Sequence, residues 1–247
     1  SIFPSAKVSD TIVEPYNTVL SLPSLIDDID DPILIDNEKL YDITHGTQGI
    51  ETPTYGDLNH LVATTLAGLN AAADFRTVFP SKSSRHFWLA AIAPLTKKEE
   101  SVAGTTREAS IEKMLDPVNL LAACDASKGR TFAATVIYRG KASADEAAKS
   151  LASARENAAW LPEKINTIVS EVARRDVPES ATLLVNTSAV RVLLARIVKH
   201  FDALYSHKAY LHTYTAEGME EAQFADAVGR VKELIAEYKR EEAGNAN

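Results

Sequence analysis

Residues 52–60 read TPTYGDLNH, a Pro-Thr-Tyr-Gly turn set directly before a helix whose first turn carries an acid, an amide and a histidine: Asp57, Asn59 and His60. A helix can be started with far less chemistry. Carboxylate, amide and imidazole together supply acceptors, donors and a titratable ring, so this stretch is a candidate binding surface. Other groupings carry less. His200, His207 and His212 lack the i, i+4 spacing of a helix-borne zinc pair. Asp27, Asp28, Asp30 and Asp31 lack the glycine and terminal glutamate of an EF-hand loop, so they read as a solvated turn. Serines, histidines and aspartates are frequent, yet no G-x-S-x-G elbow is present, and no enzyme activity is expected. Cys124 is the single cysteine. It excludes an internal disulfide and a thiolate zinc cluster, fits a reducing, cytoplasmic setting, and reads as a small buried residue.

A chain of 247 residues that is 45% hydrophobic can bury a large core, as one large or two modest globular domains. Its formal net charge of -8 argues against nucleic acid as a partner, because phosphate binding needs clustered Lys and Arg. No stretch is long and uncharged enough for a membrane span, and no signal peptide is apparent at the N-terminus.

The elements that must position the candidate residues follow from hydrophobic periodicity. Residues 10–28 form a helical segment limited by Pro15 and Pro23, PILID (32–36) a short buried strand, and Asn37 the expected N-cap of the helix that follows. From Tyr55, the residues Leu58, Leu61, Val62, Thr65, Leu66 and Leu69 form a stripe at helical spacing. Strands are expected at 86–93, 131–139, 165–172 and 181–186, with a helix at 143–158. Two amphipathic helices close the chain, one lined by Val190, Leu193, Leu194, Ile197, Phe201 and Leu204, the other by Phe224, Val228, Val231, Leu234, Ile235 and Tyr238. Strands alternating with helices predict an α/β or α+β fold ending in a helical hairpin. The stretch 143–157, SADEAAKSLASAREN, is filled with alanine and strong helix formers where packing does not require them, and reads as deliberate helix stabilisation.

Six motifs then stand in one order along the chain: PSAKVSDTIVEPYN (4–17), IDNEKLYDI (35–43), TPTYGDLNHL (52–61), AACD (122–125), YRG (138–140) and KAYLHTYTAEGMEE (208–221). In order and approximate spacing they closely resemble tubulin, and the short connection ARRDVPESAT (173–182) is similar to that of the β subunit. The resemblance spans nearly all of this chain but only the second half of a tubulin. It implies an α/β fold in which 1–76 is the rear of a Rossmann-like nucleotide domain with its central helix, 77–189 the intermediate, mixed-sheet domain, and 190–247 the C-terminal helices. The opening SIF is then expected to be the stump of a strand.

The resemblance also assigns roles. The positions matching Asn37 and Asn59 hydrogen-bond guanine in the family, that matching Tyr55 stacks on it, and those matching Asp10 and Glu14 lie near the ribose. An amide suits a base edge, a phenol a base face, and carboxylates accept from hydroxyls. Most affinity for such nucleotides comes from a glycine-rich turn around the phosphates, and the ten glycines here are scattered. Negligible GTP binding is therefore expected without an N-terminal half, and no cofactor. Hydrolysis is not expected either. The family's catalytic acid follows the central helix, where this chain is about three helical turns shorter between Gly68 and Phe87. The shortening falls either in the central helix or in the loop and helix after it, and Asp74 is a relic of the acid only under the first placement.

A taxane-type pocket is the other implied site. Asp57 and His60 match its helix positions, Pro94, Leu95 and Thr96 the start of its mobile loop, Arg175 its basic residue, and Ile50 an aliphatic wall, a lining suited to a bulky apolar ligand. Ile92 stands where the family has an aromatic wall and Asp176 where it has glycine, and the loop reads KKEESVAGT, one residue short. His60 can equally be an ordinary helix-face histidine. The expected partners are microtubule drugs and tubulin-like subunits.

Overall fold

A computed structural model describes residues 1–4, 11–72, 77–79, 87–95, 107–141, 143–174 and 177–243. Its spine is a six-stranded mixed sheet in the order β1-β2-β3-β6-β4-β5. The strands are β1 (Ile2–Phe3), β2 (Ile33–Asp36), β3 (Trp88–Ala93), β4 (Thr131–Arg139), β5 (Asn166–Ser170) and β6 (Ser180–Thr187). β1, β2 and β3 run parallel, β6 is antiparallel to both β3 and β4, and β5 is parallel to β4. The sheet is continuous from the first segment of the chain into the second, since Ile33 and Leu34 of β2 pair with Trp88 and Leu89 of β3.

Alternation along the strands sends successive side chains to two different cores. On one face Leu34, Leu89, Ala91, Val136, Tyr138, Leu183 and Val185 join the larger core with α1 (Glu14–Asp27), α4 (Arg107–Leu115), α5 (Ala144–Arg155), α6 (Val190–Tyr205) and α8 (Glu221–Ala243). On the other, Ile35, Trp88, Ala90, Ile92, Ile137 and Leu184 meet α2 (Asn37–Asp42) and α3 (Tyr55–Leu69). A short helix, α7 (Leu211–Thr215), links α6 to α8.

Each helix has a local cause. α3 starts in a capping box, with Thr54 Oγ1 3.4 Å from the Asp57 amide and the Asp57 carboxylate 3.0 Å from the Thr54 amide. α5 repeats the device with Ser143 and Glu146. α3 lies close on the sheet because Gly68 has no side chain: a Cβ there would sit 1.9 Å from Thr182 Oγ1. An aromatic cluster joins α1 to the C-terminal helices. Tyr16 makes edge contacts with Phe201 and Phe224 at 5.4 and 5.3 Å, and its hydroxyl donates to the Ala209 carbonyl at 2.9 Å.

Two expectations change. The cap of α2 is Asp36, whose carboxylate accepts from the Glu38 amide at 3.0 Å, while Asn37 is the first helical residue. The second concerns one member of the acidic cluster: Asp27, Asp28 and Asp30 are exposed as a solvated turn should be, but Asp31 is half-buried and accepts from Trp88 Nε1 at 2.8 Å. No described helix is long and apolar enough to cross a membrane.

Candidate functional site

The parallel part of the sheet sets up one end of the molecule. β1 and β2 are neighbours pointing the same way, so the residues that follow them share the C-terminal edge, where open α/β sheets place ligands. Glu14 opens α1 shortly after β1, and Asn37 opens α2 directly after β2. Glu14 borders a cleft of about 220 Å³ with Pro4, Thr11, Ile12, Pro15, Thr18, Ile197 and His200. Asn37 is half-buried. The structure thus brings Glu14 and Asn37 to the same edge, and Asp10 lies outside the described residues.

At that edge β2 and β3 part. Leu121, fully buried, wedges between them: its carbonyl accepts from the Asp36 amide at 2.8 Å and its amide donates to Ala90 at 2.7 Å. Behind the wedge lies a group that the sequence reading missed. Asp36 is fully buried and accepts from Arg196 Nη2 of α6 at 2.5 Å, and Arg196 also reaches Glu38 at 3.5 Å. Two carboxylates share one guanidinium. Burial holds the Asp36 carboxyl above the usual carboxylate range despite Arg196. A more open cleft of about 520 Å³ adjoins, lined by Lys39, Asp42, Asp116–Val118 and Ala122–Asp125, with Ser127 beyond. Cys124 is buried on its wall, and burial pushes its thiol up to about 12, so it is an inert small residue, as expected. Among the described residues no group of three or more His, Cys, Asp or Glu side chains could hold a metal ion.

The remaining candidates gather at α3. Tyr55, 72% exposed, and Asn59, also exposed, stand one turn apart on the outer side of the helix. The Asp57 carboxylate is half-buried and committed to the Thr54 cap, accepting from Thr54 Oγ1 at 2.6 Å. His60 is exposed, so its ring is free of the core. Ile50 is half-buried in the connection before α3, and Pro94 half-buried at the end of β3. Leu95, expected at the start of the pocket's mobile loop, belongs to the core: it is 2% exposed and shares a cluster with Leu58, Leu61 and Ile92. Thr96, Arg175, Asp74, Asp176 and the KKEESVAGT loop lie outside the described residues. α3 and the end of β3 therefore pack together, with Asp57 and His60 on the one element and Pro94 at the end of the other.

A mixed sheet covered by helices on both faces is an α/β domain of the kind that the motifs led one to expect. Residues 84–199 match the tubulin C-terminal domain family, and this region of the chain is tubulin-like. The match covers β3 through most of α6, the part built around the antiparallel β3-β6-β4 core of the sheet.

Proposed function

We propose that the chain is a minimised, engineered tubulin-derived module, β-like in origin, that binds a taxane-type apolar ligand and does not hydrolyse GTP. The observation that carries this reading is the packing of α3 on the end of β3 through Leu58, Leu61, Ile92 and Leu95. In support of it, Asp57 and His60 stand on α3 and Pro94 at the end of β3, the two elements between which such a cleft would form. Ile50, half-buried before α3, is the proposed aliphatic flank, and Thr96 and Arg175 are included only on the motif resemblance. On this reading Asn37, Tyr55 and Asn59 with Asp10 and Glu14 are a nucleotide-base remnant, and the ten glycines of this sequence form no glycine-rich turn of the kind that grips phosphates. The alanine-rich α5, closed by its own capping box, supports engineering for stability.

Titration of the purified chain into a fluorescent taxane tests the reading. Saturable binding that His60→Ala weakens about tenfold is the expected result, on the scale of one pocket contact; no change in the anisotropy of a trace of labelled taxane in 100-fold excess of the chain overturns it. The tubulin-like region itself favours a second reading, a cytoskeletal polymer subunit that acts with a GTP-binding half. GTP-dependent sedimentation of the chain would establish that reading in place of the first.

A further inference from the structure

The end of α8 is held differently from the rest of that helix. Its buried side chains run from Phe224 through Val231 and Leu234 to Tyr238, and none of residues 239–243 is buried. What holds this last turn is polar. The Glu242 carboxylate accepts from Ser188 Oγ at 2.6 Å and from Arg191 Nε at 2.8 Å, and Arg191 Nη2 stands 2.8 Å from the same carboxylate. Arg130 adds a bond to the Glu241 carbonyl at 3.3 Å and a looser contact to its carboxylate at 3.7 Å.

The receiving end explains the arrangement. α6 begins at Ala189 with no side-chain cap and no acid in its first turn, so its start offers partial positive charge that its own residues do not answer. Ser188 is fully buried and already accepts from the Arg130 amide at 2.8 Å, which fixes its hydroxyl toward Glu242. A carboxylate from 51 residues further along the chain therefore sits at the start of α6, bonded to the side chains of Ser188 and Arg191.

We propose that residues 239–243 of α8 are a releasable latch, closed by seating Glu242 in the Ser188–Arg191 fork at the start of α6. Opening leaves the apolar contacts of α8 in place, because Tyr238 and the buried residues before it stay packed. The latch frees the helix end and uncovers Arg130, Ser188 and Arg191 while the core stays intact. The groups facing Glu242 are Arg191 and Ser188 at the start of α6, Arg130 before β4, and Lys239 and Glu241 on α8 itself. Arg191 and Ser188 hold its carboxyl below the usual value against the opposing effect of burial. A folded value below the unfolded one gives a closed latch above about pH 4.3 that is lost as pH falls through the folded value.

Amide hydrogen exchange on the full chain tests this. In Glu242→Gln at pH 7, exchange at 239–243 should rise about tenfold or more, as expected for losing charge-assisted bonds, while 224–238 stays within about twofold. Acidification of the unmodified chain from pH 7 to pH 3.5, with intrinsic rates corrected, should accelerate the same five residues and should have no such effect in Glu242→Gln. The pH arm stands even if the variant folds poorly. Unchanged exchange at 239–243 in both arms overturns the latch. So does loss of protection along all of α8 together, which would make Glu242 a staple of the core instead.

Discussion

The two faces of the sheet are built on different plans. On one, α1, α6 and α8 interlock around Tyr16, Phe201, Phe224 and Tyr238, all fully buried, and Asp27–Arg230 and Tyr214–Asn17 tie the helices to each other. On the other, α2 and α3 form a single layer whose outer surface is open, with Tyr55 72% and Leu66 50% exposed. One face spends its apolar surface on stability, and the other keeps part of it available. The candidate ligand contacts fall on the open face, because a helix packed on one side only can present chemistry on the other.

Truncation on each face tests this contrast. Phe224→Ala removes a ring in contact with Tyr16, Tyr205 and Tyr214 and should lower stability in urea unfolding by about 4 kcal/mol. Leu61→Ala, under the single layer of α3, should cost about 2.5 kcal/mol, since a helix with one open side can settle into the space. Equal losses would mean that the faces are equally constrained, and the contrast would fail.

The next largest effect concerns the contact that joins the two plans, where Arg196 of α6 reaches Asp36 and Glu38 at the end of β2. Arg196→Met leaves two buried acids without their cation and should cost roughly 3 kcal/mol at pH 7. The pH dependence identifies the cause. Asp36 has a folded value raised above its unfolded one, so its ionised form opposes folding at neutral pH, and this opposition fades as pH falls through the folded value. The deficit of Arg196→Met relative to the parent should therefore shrink on acidification toward pH 5. A deficit independent of pH would assign the loss to packing of the arginine stem alone.

That contact also marks where the sequence stops being legible. The stripes of α3, α6 and α8 and the whole of β4 follow from periodicity, because each buries one face against a flat neighbour. The Asp36–Arg196 pair does not, since its partners are 160 residues apart and Arg196 sits on a helix whose other residues account for its pattern. Sequence alone does not distinguish Asp36 from Asn37 as the cap, since both are good capping residues by type; only the backbone, extended at Asp36 and helical after it, decides. The wedge by Leu121 depends on two strands diverging, which no local pattern encodes. For the candidate site, the motif resemblance points to α3 and the end of β3, but which side chains point outward is a matter of packing. Leu95 turns into the core and His60 away from it. A hydrophobic residue in a loop gives no such sign in advance.

A smaller effect sharpens the open face. Thr54→Ala removes the cap of α3 and frees the Asp57 carboxylate from the Thr54 hydroxyl, with an expected loss of about 1 kcal/mol in thermal unfolding. If α3 is a scaffold for ligand contacts, taxane affinity should fall along with stability, because Asp57 lies in the frayed turn and His60 in the turn after it. Lost stability with unchanged affinity would move the contacts to the far half of the helix.

The smallest effect lies on the closed face, at a place where its packing is imperfect. Tyr138 of β4 is buried, and its hydroxyl finds no hydrogen-bond partner among the described residues. Burial accordingly pushes its ionisation upward. A hydroxyl taken from water without a new bond is a cost, so deleting it should relieve strain in the polar accounting without opening a cavity larger than one oxygen. Tyr138→Phe is expected to be neutral or to stabilise the chain by up to about 1 kcal/mol, read from the urea midpoint at unchanged slope. Destabilisation by a similar amount would mean that the hydroxyl is bonded, with an internal water as its natural partner. The closed face would then have to be described as sealed around a polar centre, like the Asp36 end of the sheet, and the division of labour between the faces would rest on helix layering alone.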